Sequence, residues 1–246
     1  MKYAVLSDIH ANYEALTAVL KKAEELGAKA YVFCGDLVGY GPDPERCTQV
    51  VQKIKNFLGV MGNHDYALFN KEAHAWFSDY AKISLRYTLK NLSNASLEYI
   101  KTFHRSFQGK NFSAVHGSFA DPFRDYLLSL DQFVKNLPLW KGNLCFIGHS
   151  HIPFIMSAGK NQKPKISLPS GEDFTFKIMP DVRYMINPGS IGQPRDSNSL
   201  ASFGIVDTKE NTFRLIRVGY NIAAVQRRMR NCGLPELLYT RLGKGA

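Results

Sequence analysis

The chain has 246 residues, 45% of them hydrophobic and 21% charged, which suits one globular domain spanning 1–246 with a substantial core. No apolar run approaches the roughly 18 residues a membrane-spanning helix needs. Cys34, Cys47, Cys145 and Cys232 form no Cys-x-x-Cys pair, which disfavours thiolate zinc and points to reduced, packed thiols in a cytoplasmic protein.

In chain order, Tyr3 to Leu6 is a short apolar strand rather than a cleavable signal. Leu16, Val19, Leu20, Ala23 and Leu26 then recur at helical spacing, and Gly27 is a stop. Ala30 to Cys34 predicts a second strand, Glu45 to Lys55 a helix and Phe57 to Met61 a third strand. Right-handed crossovers would make these strands parallel and gather functional residues at their carboxyl ends. From about Glu72 to Phe107 helical patches with aromatics are expected to cover one side of the sheet. Short β-prone runs follow at Phe112 to Val115, Leu144 to Ile147, Phe154 to Met156, Tyr184 to Ile186, Ser202 to Val206 and Thr212 to Val218, which predicts a second sheet. Gly159 to Gly171 reads as a surface loop or hairpin. A terminal helix is expected at about 221–231, followed by a tail, with Arg227, Arg228 and Arg230 on its solvated face. The formal net charge of +10 would draw anionic ligands such as phosphates or nucleic acid.

Five small clusters stand out against this frame: Asp8-Ile9-His10, Gly35-Asp36, Gly62-Asn63-His64-Asp65, His116-Gly117 and Gly148-His149-Ser150-His151. Any one of them alone is ordinary turn chemistry. Together they hold five of the seven histidines, each after a β-prone run, while His74 and His104 lie outside. Carboxylate oxygen combined with imidazole nitrogen suits Mn, Fe, Zn, Co or Ni, whereas an all-oxygen cage would suit Mg or Ca. Residues two apart at a strand end, as Asp8 and His10 or His149 and His151, can both reach inward. The flanking glycines permit sharp turns and close backbone approach.

The ordered pattern Asp-x-His, Gly-Asp, Gly-Asn-His-Asp, His and Gly-His-x-His resembles that of the calcineurin-like metallophosphoesterases. The resemblance continues through Asn187-Pro188-Gly189-Ser190 and Gln193-Pro194-Arg195-Asp196, as in small single-domain bacterial and archaeal members. It implies an α/β fold, a four-layer α/β/β/α sandwich of two mixed sheets flanked by helices. It also implies two divalent transition-metal ions, manganese among the candidates. Asp8, His10, Asp36 and His151 would hold one ion and Asp36, Asn63, His116 and His149 the other, so that Asp36 bridges. The ions would activate a hydroxide for in-line attack on phosphorus. His64 would serve the leaving oxygen with Asp65 orienting its ring, and Asn63, His64 and Arg195 would contact substrate.

Phosphoprotein phosphatases and diadenosine tetraphosphatases of this superfamily carry Gly-Asp-x-x-Asp-Arg-Gly. Here the chain reads Gly35-Asp36-Leu37-Val38-Gly39-Tyr40-Gly41, without that arginine. A small phosphodiester or phosphomonoester is therefore the favoured substrate. A nuclease is the first alternative, disfavoured because the basic residues are dispersed. A catalytically silent interaction module is the second; a retromer subunit of the superfamily has lost the histidine that His64 retains here.

Overall fold

The computed structural model describes residues 1–160 and 162–246. Its first half runs β1 (Lys2–Leu6), α1 (Tyr13–Glu25), β2 (Ala30–Phe33), α2 (Pro44–Gln52), β3 (Phe57–Gly59), α3 (Asn63–Tyr66), α4 (Asp79–Asn91), α5 (Asn94–Lys101), β4 (Ser106–Gln108) and β5 (Ser113–Val115). The second half runs α6 (Leu130–Asn136), β6 (Leu144–Phe146), β7 (Phe154–Gly159), β8 (Lys165–Ser167), β9 (Asp173–Lys177), β10 (Val182–Asn187), β11 (Ala201–Asp207), β12 (Thr212–Val218), α7 (Ile222–Asn231) and α8 (Glu236–Thr240).

Two six-stranded mixed sheets form, in the orders β3-β2-β1-β11-β12-β9 and β4-β5-β6-β10-β7-β8. β1, β2 and β3 are parallel, as their crossover helices require. Period-two alternation in β1 shows how the layers arise: Tyr3 and Val5 enter the core between the sheets, while Ala4 and Leu6 pack under the helices. Leu16, Val19, Cys47, Val51 and Ile100 of α1, α2 and α5 cover the outer face of the first sheet. Phe133 of α6, together with Trp140, covers Val115, Cys145, Met156 and Met185 on the second. The result is a four-layer α/β/β/α sandwich.

Three sequence expectations need correction. The late β-prone runs do not all build the second sheet, because β11 pairs antiparallel with β1, followed by β12 and β9. Residue patterning encodes strand character but not which edge a strand joins. The stretch from Glu72 is more than a sheet cover, because Ala73, Phe77, Ala81 and Leu85 form their own cluster, against which Tyr40 packs. Arg228 is not a solvated charge: it bonds both Glu14 and Asp43, pinning α7 against the starts of α1 and α2. The expected hairpin is present as β7 paired with β8, and Asn161 between them lies outside the described residues.

Candidate metal centre

The five clusters converge where loops leave β1, β2, β3, β5 and β6, all at strand carboxyl ends. Alternation along a strand does not aim them. Asp8, His10, Asp36, His149 and His151 lie beyond the strands with left-handed φ values of 52°, 46°, 62°, 68° and 62°. L-residues adopt this region at a cost, which is a recurring mark of functional loops. Two glycines make room: a Cβ at Gly62 would collide with the Asp36 carboxylate, and one at Gly39, where φ is +87°, would overlap the His64 ring.

Three of the four histidine donors are fixed from behind, and the exception is His149, whose outward Nε2 is buried without a partner. His10 Nδ1 lies 3.0 Å from the Val38 carbonyl, His116 Nδ1 2.7 Å from that of Cys34, and His151 Nδ1 2.6 Å from that of Gln193. With Nδ1–H donated, Nε2 presents a lone pair to the centre, the arrangement that orients metal-binding imidazoles. His10 Nε2 then faces His151 Nε2 at 3.0 Å, with Asp8 Oδ1 3.4 Å from the latter. On the other side His116 Nε2 lies 3.0 Å from His149 Nδ1 and 3.1 Å from Asn63 Oδ1. Asp36 Oδ2 stands between, 3.6 Å from His10 Nε2 and 3.3 Å from His116 Nε2. Its other oxygen accepts from the His64 backbone N–H at 2.9 Å. Likewise Ser7 Oγ donates to Asp8 Oδ2 at 2.6 Å.

This donor set fits cations. Two pairs of imidazole nitrogens face each other at hydrogen-bonding distance, each beside a carboxylate, and Asp36 belongs to both halves. Burial pushes His10, His149 and His151 well below ordinary histidine basicity, leaving neutral imidazoles suited to coordination. Burial also opposes the charge on Asp36, but His116, His64 and His10 outweigh it and hold the carboxyl below its usual range. Burial raises Asp8 to about 7, with His116 opposing and Asp36 adding to the rise. His116 is raised to about 9, because the charge of Asp36 and its hydrogen bond overcome burial. A proton on His116 thus does locally what cations would do for the whole set.

His64 is different. Its ring is stacked on Phe77 at 4.6 Å and tilted against Tyr40 at 4.4 Å, and its buried Nδ1 has no hydrogen-bond partner. Burial lowers it to about 4, with Asp36 opposing and Arg195 adding to the fall. The expectation that Asp65 orients this ring fails. Asp65 turns away and accepts the backbone N–H groups of Asp36, Leu37, Val38 and Gly62 at 2.8, 3.0, 3.3 and 3.1 Å. It shapes the Asp36 loop instead. His74 and His104 stay outside the centre, His74 Nε2 meeting the Ala67 carbonyl at 2.9 Å.

A cavity of about 470 Å³ opens on Asn63, His64 and His149, with walls from Tyr40, Trp76, Phe77, Phe123, Arg124 and Tyr126. Tyr126 stacks on His149 at 3.9 Å. Arg195 lies beside Tyr40 and Tyr126 and acts electrostatically on Asp8, His10, His64 and His149. Sequence reasoning missed these aromatic walls. Only Tyr40, between Gly39 and Gly41, lay within a motif that could have flagged it; Phe77 and Tyr126 carry no local signal.

Residues 1–211 match the model of the calcineurin-like phosphoesterase superfamily domain. The chain belongs to that superfamily. An uncharacterised protein of Methanocaldococcus jannaschii is 35% identical over 252 aligned positions, covering 98% of this chain and 97% of its relative. A metallophosphoesterase from Sphaerobacter thermophilus superposes with a TM-score of 0.87 at 33% identity, with 100% of both chains covered. A hypothetical protein from Pyrococcus horikoshii shares the fold, with a TM-score of 0.80 at 23% identity over 100% of this chain and 98% of that one. The superfamily relation makes this a candidate phosphoester hydrolase with a metal-binding site. Among the described residues no helix is long and apolar enough to cross a membrane.

Proposed function

We propose that the protein hydrolyses small phosphodiesters or phosphomonoesters with a pair of divalent transition-metal cations, such as Mn, Fe, Ni, Zn or Co. The observation that carries this reading is the shared carboxylate. Asp36 lies between two buried donor sets, Asp8, His10 and His151 on one side and Asn63, His116 and His149 on the other. When bound, such a cation pair supplies Lewis-acid charge and lowers the pKa of water enough for attack at neutral pH.

The chain's own residues do the rest. Asn63 and Arg195 bind and orient the phosphoryl group. His64 opens on the cavity while its buried Nδ1 packs against Gly39, so its other ring nitrogen, Nε2, is the one placed to donate a hydrogen bond or proton to the leaving oxygen. Because Asp65 does not assist it, the negative charge of the bound ester takes over the role of favouring the protonated ring. Phe77 and Tyr40 hold the imidazole by packing and keep water from its inner face. The missing second-motif arginine keeps phosphoproteins behind small esters as substrates.

The test is elemental analysis after loading with each metal, followed by assay of bis-p-nitrophenyl phosphate, nitrophenyl monoesters, cyclic and linear diesters and an oligonucleotide. Metal retention with chelator-sensitive cleavage of small esters is the expected result. Preferential cleavage of the oligonucleotide, with steep salt dependence, would replace this reading by a nuclease. No cleavage by folded, metal-loaded protein would favour an interaction module.

A further inference from the structure

Three guanidinium groups converge where residues 193–198 meet the C-terminal segment, and they are treated unequally. Arg217 of β12 spends its charge on Asp196, with a further contact from Nη1 to the Leu200 carbonyl at 3.4 Å. Among the described residues no carboxylate lies within ion-pair reach of Arg195 or Arg241. They share one neutral acceptor, the side-chain oxygen of Gln193, 2.8 Å from Arg195 Nη2 and 3.4 Å from Arg241 Nη1. Each also keeps its Nε shielded from solvent and unbonded; that of Arg217 is unbonded too, but its charge is matched. Neither guanidinium is matched by a carboxylate, and both are only partly buried, so each keeps part of its fork open to a further partner, which an anion satisfies best.

The segment that brings Arg241 here is firmly docked. Leu242 packs with Val225, Met229 and Leu238, and Ser197 donates its backbone N–H to the Gly245 carbonyl at 2.8 Å. The two arginines occupy different depths. Arg195 donates its backbone N–H to the His151 carbonyl at 3.3 Å and its guanidinium lies 5.7 Å from the Tyr40 ring, which packs on His10 and His64, whereas Arg241 comes in from the C-terminal segment and reaches Gln193. Arg195 thus faces the metal centre and Arg241 stands one step outward. A single phosphoryl group on the cations would engage the first and leave the second unmatched.

We propose that Arg241, with Arg195, forms a second anion subsite beside the metal centre, so that the substrate carries another oxyanion, a carboxylate or a phosphate, a few bonds from the scissile ester. This rests on the phosphoester reading above and narrows it. Planar, forked guanidinium groups recognise either oxyanion in the same bidentate way.

The proposal is tested by calorimetric titration of metal-loaded protein with methyl phosphate, phosphoglycolate and ethane-1,2-diyl bisphosphate. Wild type should bind one or both of the doubly functional anions about tenfold or more tighter than methyl phosphate, and the stronger of the two identifies the second group. Arg241→Gln should shrink that preference to less than about twofold, and Arg241→Lys, which keeps the charge but loses the fork, should lie between. Melting curves establish that each variant is folded. Equal affinities for the three ligands in wild type would overturn the subsite while leaving the phosphoester reading intact. A preference undiminished in both variants would do the same. Failure to bind methyl phosphate, together with no hydrolysis of any ester, would remove both.

Discussion

The metal-capable loops and the walls around them are built on opposite principles. In the loops the polar atoms facing away from the centre are spoken for, His149 Nε2 excepted: Ser7 holds Asp8, the backbone at His64 holds Asp36, and carbonyls hold His10, His116 and His151. Beyond the loops, His64 Nδ1, Arg195 Nε and Arg241 Nε are buried without partners. Buried polar groups are nearly always bonded. The contrast therefore separates a ligand set held largely from behind from neighbouring groups whose bonding the fold alone does not complete.

The largest effect that would sharpen this comparison is expected at its shared atom. Asp36→Ala should lose metal, measured by elemental analysis, and reduce turnover by about a thousandfold or more, roughly 4 kcal/mol of transition-state stabilisation. Retention of the wild-type metal stoichiometry would break the assignment. His64→Ala should instead keep its metal and lose about 10² to 10⁴ in rate on esters with poor, basic leaving groups, and much less on nitrophenyl esters. Loss of metal in this variant would move His64 from wall to ligand.

Asp65→Asn separates the two regions most directly. If Asp65 served the His64 ring, its loss would follow leaving-group basicity. Its bonds to four backbone N–H groups instead predict a drop in metal affinity of about 10- to 100-fold, affecting all substrates alike. A lower melting temperature should accompany it, since each buried N–H left unbonded costs about 1–3 kcal/mol. The smallest effect is expected from Tyr126→Phe, which keeps the stack on His149 and removes only the hydroxyl beside Arg195. KM should rise by a few-fold at about unchanged kcat, the change expected from one hydrogen bond worth roughly 0.5–1.5 kcal/mol. A large fall in kcat would place that hydroxyl in the chemistry.

Restoring divalent metal to stripped protein should raise the melting temperature, because a ligand that binds only the folded form stabilises it by about 2.7 kcal/mol at 100 times its Kd. His10→Ala or His149→Ala should blunt that rise, and Arg241→Gln should not. Equal loss in all three would erase the distinction between loops and walls.

Much of this was legible in the residues alone. The continuous apolar run Tyr3 to Leu6, helical spacing from Leu16 to Leu26 and motif residues placed after β-prone runs come from local chemistry, and they point to layered α/β architecture and to donors for cations. Local patterning could not say that β11 would pair with β1, because an edge is chosen by the twist and shape of what has already assembled. Nor could it give the left-handed backbone at Asp8, His10, Asp36, His149 and His151, which persists because the surrounding hydrogen bonds over-determine it. Asp65 shows the limit most plainly: adjacency to His64 in sequence suggested a partnership, but the start of a helical turn aims consecutive side chains in different directions. Phe77 and Tyr126 reach the cavity from 13 and 62 residues beyond His64, and Arg241 meets Gln193 from 177 residues beyond it. Sequence fixes the chemical kinds of groups a site can contain; only packing over such separations decides which of them meet, and which are left without a partner.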